Sequence, residues 1–407
     1  MFNVQEATIR LPEPGEALLA AAHAKEAMPF LRERLDDDPS NARHWSNMAV
    51  AHRHLGNYPE ALNCINEAIL INPSTWEFFQ NRGKIYEDLG RFDRALEEYI
   101  HAHKLNPASE KPRIAVTLGL MREKRFEEAW PCWQECHPCA FAEGVPPYNG
   151  EPLQGKRLLV TRNGGYGDTF WLLRYLKPLK LRGAHITFYG WKNQRQLLIG
   201  HSWIDRWADA DDSLDEKDFD YQIPLMMLMP VIGVVPYPML HGPYIRSTPK
   251  YFQEPNRNVI GLCWSAAEVY QARKIRSIPM EVLEPLRQVN ARFVSLQPGT
   301  CPDWVEPLEG IDQGFHVTAR AIAGLDLVVS VDSAVLHLAG AMETPAWGIL
   351  PVGSDWKWFH EQERTAWYPR VRLFRSTDPV DMGEVVQRVA SVLMDLDKEA
   401  MGVAVAE

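Results

Sequence analysis

"VVSVDSAVLHLAG", residues 328–340, runs from a β-branched apolar stretch straight into Asp332 and Ser333 and then into a helical pattern that carries His337. A short, continuously apolar strand followed at once by a helix is the repeating unit of a parallel sheet covered on both faces. The two polar residues stand at the seam. There a carboxylate or hydroxyl caps free backbone N–H groups, and the helix N-terminus favours an anion. Local pattern leaves two readings open: Asp332 as an N-cap with His337 satisfied on the helix face, or both residues in a ligand pocket.

Similar units lie on either side of this stretch. "NVIGLCWS" (258–265), "RFVSLQ" (292–297) and "AWGIL" (346–350) read as strands, with helices near 279–288, 316–323 and from 333. A final helix near 381–394 places Val385, Val386, Val389 and Val392 on one side. Earlier, "KRLLVTRNGGYGDTFWLLRYLKPLKLRGAHITFYG" (156–190) predicts a strand at 157–161, a glycine-rich turn, a helix at 168–182 and a strand at 185–189. Phe170, Leu173, Leu176 and Leu179 fall at helical spacing in that unit. A helix near 193–200, a strand near 203–207, "FDYQIP" (219–224) and an apolar helix near 224–233 continue it. The proline-rich "PYPMLHGPYIRSTPKYFQEPNRN" (236–258) reads as a connection. Two α/β domains are therefore expected, 156–250 and 257–376, with a C-terminal helix over 377–396. Ligands in such sheets bind at the carboxyl ends of strands, so the cleft between the domains is where chemistry is expected.

The first third is a repeat. Leu55 and Leu89, Gly56 and Gly90, Tyr58 and Phe92, Ala61 and Ala95, Ala68 and Ala102, and Pro73 and Pro107 are each 34 residues apart. Phe126 and Ala129 mark a worn third copy, and Pro39 lies 34 before Pro73. This register matches the tetratricopeptide pattern, in which small alanines let two helices approach and proline closes the second. It predicts an all-α domain over 1–136 and a turn-rich linker over 137–155. The concave face of such an array takes a peptide or protein, or braces the next domain.

Composition narrows the function classes. At 407 residues and 46% apolar, the chain can fill proper cores, and its formal net charge of -10 argues against a nucleic-acid backbone as partner. No signal-peptide succession opens the chain and no apolar run reaches the roughly 18–20 residues of a membrane span, so a cytoplasmic location is expected. Six cysteines are too few for a disulfide scaffold. Cys132, Cys136, Cys139 and His137 crowd into "CWQECHPC" (132–139) but lack a second ligand pair, so they read as a helix end and turn, and no metal is expected.

Three loops offer chemistry. In "RNGGYGDT" (162–169), Gly164, Gly165 and Gly167 permit close ligand approach, and Asp168 either caps the helix or serves as a base. The spacing is not the dinucleotide fingerprint. In "ARKIRSIP" (272–279), Arg273, Lys274 and Arg276 form the densest positive patch, which is either a solvated face or a clamp for a diphosphate. The third loop is the Asp332–Ser333 seam.

Together with "NVIGLCWSA", "RFVSLQPG", "DWKWF" and "WYPRVRLFR", these blocks resemble the glycosyltransferase module of bacterial tetratricopeptide-repeat proteins, which is related to the lipopolysaccharide heptosyltransferases. The resemblance implies a GT-B fold of two Rossmann-like domains, the first on the acceptor side and the second holding the donor. It implies an inverting, metal-independent transferase with no cofactor beyond a nucleotide-diphosphate sugar as donor substrate. The acceptor would be a hydroxyl of a protein or glycan, with the repeats tilting toward a polypeptide. Asp168 falls on the proposed base. Asp332, Ser333 and His337 fall on the donor site, Lys274 or Arg276 on the cation that neutralises the leaving diphosphate, and Trp264 and Ser265 on the loop before it. The family's "WAG" is "WSA" here, Trp264–Ser265–Ala266, and its threonine after the aspartate is Ser333. The alternative is a repeat-based interaction protein whose GT-B half is weak or inactive.

Overall fold

The computed structural model describes residues 23–136, 142–232, 242–249, 258–266, 276–360 and 362–400. They fall into two units, Met1–Leu120 and Met121–Glu407.

The first unit is all-helical. Helices α1 (Ala24–Asp37), α2 (Ala42–His54), α3 (Tyr58–Ile71), α4 (Trp76–Asp88) and α5 (Phe92–Leu105) precede α6 (Glu110–Arg122), which runs across the boundary. Gly56 and Gly90 take φ of 77° and 71°, a backbone that only glycine adopts at no cost, and so turn the chain between the helices of each pair. Of the small residues at the 34-residue register, Ala61, Ala68 and Ala102 have no exposed surface and Ala95 is buried, so the helices of each pair approach closely there. Arg53 of α2 donates to both carboxylate oxygens of Asp88 in α4, tying successive repeats together.

The second unit opens with α7 (Phe126–Cys136) and continues as α/β. β1 (Arg157–Thr161), α8 (Tyr166–Leu172), α9 (Leu176–Leu181), β2 (His185–Tyr189), α10 (Arg195–Leu198), β3 (Arg206–Ala208), β4 (Tyr221–Pro224) and α11 (Leu228–Ile232) build the first half. Its four strands are parallel in the order β3-β2-β1-β4. The expected helix at 168–182 is broken: a 3-10 turn at Leu173–Tyr175 separates α8 from α9. Pro178 has no N–H for the carbonyl of Arg174, and its ring crowds that carbonyl.

The second half contains β5 (Val259–Cys263), β6 (Arg292–Ser295), β7 (Val305–Pro307), α12 (Phe315–Ile322), β8 (Leu327–Val331), α13 (Ala334–Ala341), β9 (Ala346–Leu350), β10 (Val371–Arg375) and α14 (Gly383–Ala400). Its strands are all parallel, in the order β10-β9-β8-β5-β6-β7. The order reverses between β5 and β8, the topological switch point of a doubly wound sheet. Ile260, Leu262, Val329, Val331 and Ile349 of the sheet pack with Val385, Val386 and Val389 of α14 in one core. β7 and β10 were not expected as strands from the sequence, being a three-residue edge and an edge strand in which Arg372 and Arg375 interrupt the buried apolar positions. The segment 280–288, expected as an α-helix, is a 3-10 helix with Pro285 inside it. No helix among the described residues is long and apolar enough to cross a membrane.

Candidate functional site

Two helices that each follow a strand, α8 after β1 and α13 after β8, meet at their N-terminal ends. A Cβ added at Gly167 would lie 2.7 Å from the His337 ring and 3.5 Å from the Ala334 backbone, so glycine is what lets the helices come this close. Gly164 has φ of +82° and turns the chain out of β1, while Gly165 is extended. The Gly165 N–H donates to Asp168 Oδ2 at 2.8 Å. Asp168 Oδ1 lies 3.2 Å from the Lys357 ammonium. Both carboxylate oxygens of the candidate base are thus engaged.

Lys357 is buried and also donates to Asp355 at 3.1 Å. Burial alone would push its ammonium down, but the carboxylates of Asp168, Asp355 and Asp332 hold it well above its ordinary value, so it is permanently cationic. Burial opposes the charged form of Asp355 as well, yet Lys357 holds that carboxyl below its usual range. Lys357 was not singled out from the sequence, although a lysine between two tryptophans in "DWKWF" is an unusual neighbourhood for a solvated cation.

At the seam, Ser333 is the N-cap of α13 and accepts from the Val335 N–H at 3.2 Å. Its hydroxyl also meets that of Ser330 at 2.9 Å. Asp332 is therefore not the cap. It is 2% exposed, its Oδ2 accepts no hydrogen bond among the described residues, and the Arg276 guanidinium lies 3.5 Å from that oxygen. His337 Nε2 lies 3.9 Å from Asp332 Oδ1, while Nδ1 is 2.8 Å from the Tyr368 hydroxyl. The imidazole stacks on Trp358 with centroids 4.9 Å apart. Burial first, and the nearby Lys357 charge second, push its pKa down to about 3, so it is neutral at pH 7.

A cavity of about 430 Å³ opens at the switch point. Ser265 and Ala266 after β5, Gln297 after β6, and Ser333 at the start of α13 line it from one half, and Tyr166 and Asn193 from the other. Gln297 Oε1 accepts from the backbone N–H groups of both Trp264 and Ser265 at 2.9 Å, which fixes its amide with the NH₂ end free to donate. Trp264 differs from the expectation that grouped it with the donor loop. Its side chain is 4% exposed and belongs to the core with Ile260 and Ile278. Asp168, Asp332, Lys357, His337 and Arg276 thus converge where α8 and α13 meet, and Ser265 and Ser333 line the cavity. Arg273, Lys274, His137 and Cys139 lie outside the described residues.

The family model for the tetratricopeptide repeat matches residues 42–75 and again 76–109. Over 93% of its length the chain is 24% identical to Protein FlbA of Caulobacter vibrioides and spans 71% of that protein. Tetratricopeptide repeat protein 6 of Homo sapiens is 29% identical over 85 residues, 20% of this chain and 16% of that one. Among solved structures, the Arabidopsis OM64 TPR domain aligns with 28% of this chain and 88% of its own, at 25% identity and a TM-score of 0.25. The chain is therefore a tetratricopeptide array followed by an α/β region with parallel sheets, and it is similar to FlbA along most of its length.

Proposed function

We propose that this chain is an inverting, metal-independent glycosyltransferase with a GT-B arrangement, moving a sugar from a nucleotide-diphosphate sugar to a hydroxyl acceptor. The observation that carries the reading is the cavity of about 430 Å³ at the β5/β8 switch point, with the N-terminus of α13 in its wall. Open α/β sheets bind nucleotides at that place. Free N–H groups of α13 and the Ser333 hydroxyl suit a diphosphate, with Arg276 or Lys274 as the cation that balances its charge. Asp332, buried beside Arg276 with one oxygen accepting no hydrogen bond among the described residues, is suited to orienting that cation and the donor.

In the reaction, Asp168 takes the proton of the acceptor hydroxyl as that oxygen bonds to the anomeric carbon. The bond from the anomeric carbon to the diphosphate oxygen breaks, the nucleoside diphosphate leaves with the electron pair, and configuration inverts. General-base catalysis of this kind supplies about 10²- to 10⁴-fold. To act, Asp168 must exchange one of its two present partners, Lys357 or the Gly165 N–H, for the acceptor. Thermal shift of the full chain against nucleoside diphosphates and nucleotide sugars tests the donor site, because a ligand that binds the native state raises its apparent stability. One nucleotide is expected to raise the midpoint, and Asp332→Ala and Arg276→Ala to abolish the rise. No response to any nucleotide overturns the reading. With donor and acceptor in hand, full transfer by Asp168→Asn removes the base assignment.

The second reading is a repeat-based interaction protein with an inactive α/β half. Two matched repeats favour a peptide or protein partner, and the double engagement of Asp168 favours inactivity. A protein that captures a partner through residues 42–109 and fails the nucleotide screen is the outcome that supports it.

A further inference from the structure

A second cavity, of about 470 Å³, adjoins the switch-point cavity, and Tyr166 and Asn193 wall both. Trp191, Gln196, Gln313 and His316 supply most of the remaining lining. We infer that this second cavity is a saccharide subsite that receives a neutral sugar ring; its role as the acceptor's seat rests on the transferase reading, whereas its saccharide chemistry does not.

Three features of the lining point to that class of ligand. The first is a fixed aromatic wall. The Trp191 ring has the Arg162 guanidinium 3.5 Å from its centroid and Tyr166 edge-on at 5.3 Å. Tyr166 is held in turn by Phe315, edge-on at 5.1 Å. Large, rigid, amphipathic rings of this kind offer contact area to the C–H faces of a sugar at little cost in conformational entropy. The second is a set of idle amides. The side chains of Asn193, Gln196 and Gln313 make no hydrogen bond within the protein among the described residues. Each carries both donors and an acceptor, which matches hydroxyls that both donate and accept. The third is the lack of a free charge in the lining. The Lys192 ammonium is held 2.6 Å from Asp211, and burial, with Arg320 nearby, keeps His316 below its ordinary pKa and so neutral at pH 7. The cations beside this wall are engaged, Lys192 with Asp211 and Arg162 against the Trp191 and Tyr189 rings, so a neutral polyol, which needs none, suits the lining better than a phosphate or carboxylate. The volume lies within the range of small-molecule pockets.

The test is saturation-transfer NMR on the full chain, with glucose, galactose and N-acetylglucosamine as probes, a serine- and threonine-containing hexapeptide as the competing class, and a nucleoside-diphosphate panel on the same sample. At least one sugar is expected to receive saturation on its ring protons, to keep it when a nucleotide is present, and to lose it in Trp191→Ala. Gln196→Ala and Gln313→Ala, at exposed positions, are expected to weaken binding by about 2- to 10-fold, the value of one hydrogen bond. These two carry the test if Trp191→Ala does not fold. Silence from every sugar, a response from the peptide alone, or sugar binding that survives all three substitutions overturns the inference. Nucleotide binding without sugar binding removes the subsite and leaves the transferase reading standing. Sugar binding through Trp191 without any nucleotide response removes the acceptor role and leaves the saccharide site.

Discussion

Burial pushes both Lys357 and His337 toward the neutral form; the ammonium is held charged by carboxylates in direct contact with it, whereas the imidazole, 3.9 Å from Asp332 and beside the Lys357 charge, is not. The Lys357 ammonium keeps its charge by lying 3.2 Å from Asp168 and 3.1 Å from Asp355. Removing the charge strands those carboxylates, and breaking a buried pair from one side costs about 3–5 kcal/mol. Lys357→Met is therefore expected to lose that much in urea denaturation, and adding Asp168→Asn to it should return part of the loss. A single-variant loss under about 1 kcal/mol would show the pair to be solvated. His337, neutral with a native pKa of about 3, makes stability depend on acid. Below about pH 6.5 the unfolded imidazole binds a proton that the native one refuses, so this contribution is fully present above pH 6.5 and is lost as pH falls toward 3. Its limiting slope is about 1.4 kcal/mol per pH unit. Denaturation midpoints at pH 7 and pH 4.5 should fall less in His337→Gln than in the natural chain. An equal fall in both would mean that the imidazole protonates in the folded state. The sequence pointed to Asp332 and His337 as polar residues at a strand end. It could not say that Ser333 takes the cap and leaves Asp332 to Arg276, since that depends on which oxygen reaches the Val335 N–H.

Between elements, backbone approach decides more than side-chain chemistry. Gly167 was expected from the sequence to permit close ligand approach; what lies against it in the structure is His337, held by Tyr368 and Trp358. Because that ring has nowhere to move, Gly167→Ala is expected to cost about 1–3 kcal/mol by overpacking, measured as a lower denaturant midpoint at unchanged m-value. Strands were readable wherever an element is a short, mostly apolar run, as in β5, β8 and β9. Periodicity failed at β7, which has three residues, and across 168–182, where Pro178 interrupts a pattern that remains apolar on both sides of the break. Apolar spacing reports which face is buried and does not report a local loss of one hydrogen bond.

For the molecule as a whole, the two units carry separate cores: one around Ala49, Ile65 and Phe78, the other around Leu262, Val331 and Val389. Calorimetric unfolding is therefore expected to depart from two-state behaviour. Gly83→Ala, whose Cβ would collide with the Tyr99 ring, should shift one transition, and Gly167→Ala the other. A single transition moved equally by both variants would show one cooperative body. The amino-acid sequence alone settled the repeat array, the α/β class of the remainder and the identity of most polar groups at strand ends, because a 34-residue period, apolar runs and turn residues are local properties of the chain. Tertiary structure alone decided that Trp264 is core, that Lys357 joins Asp168, and that Tyr166 and Asn193 wall two adjoining cavities. Those facts arise where residues far apart in the chain meet, and the distances that govern charge pairing and packing exist only once the sheets have formed.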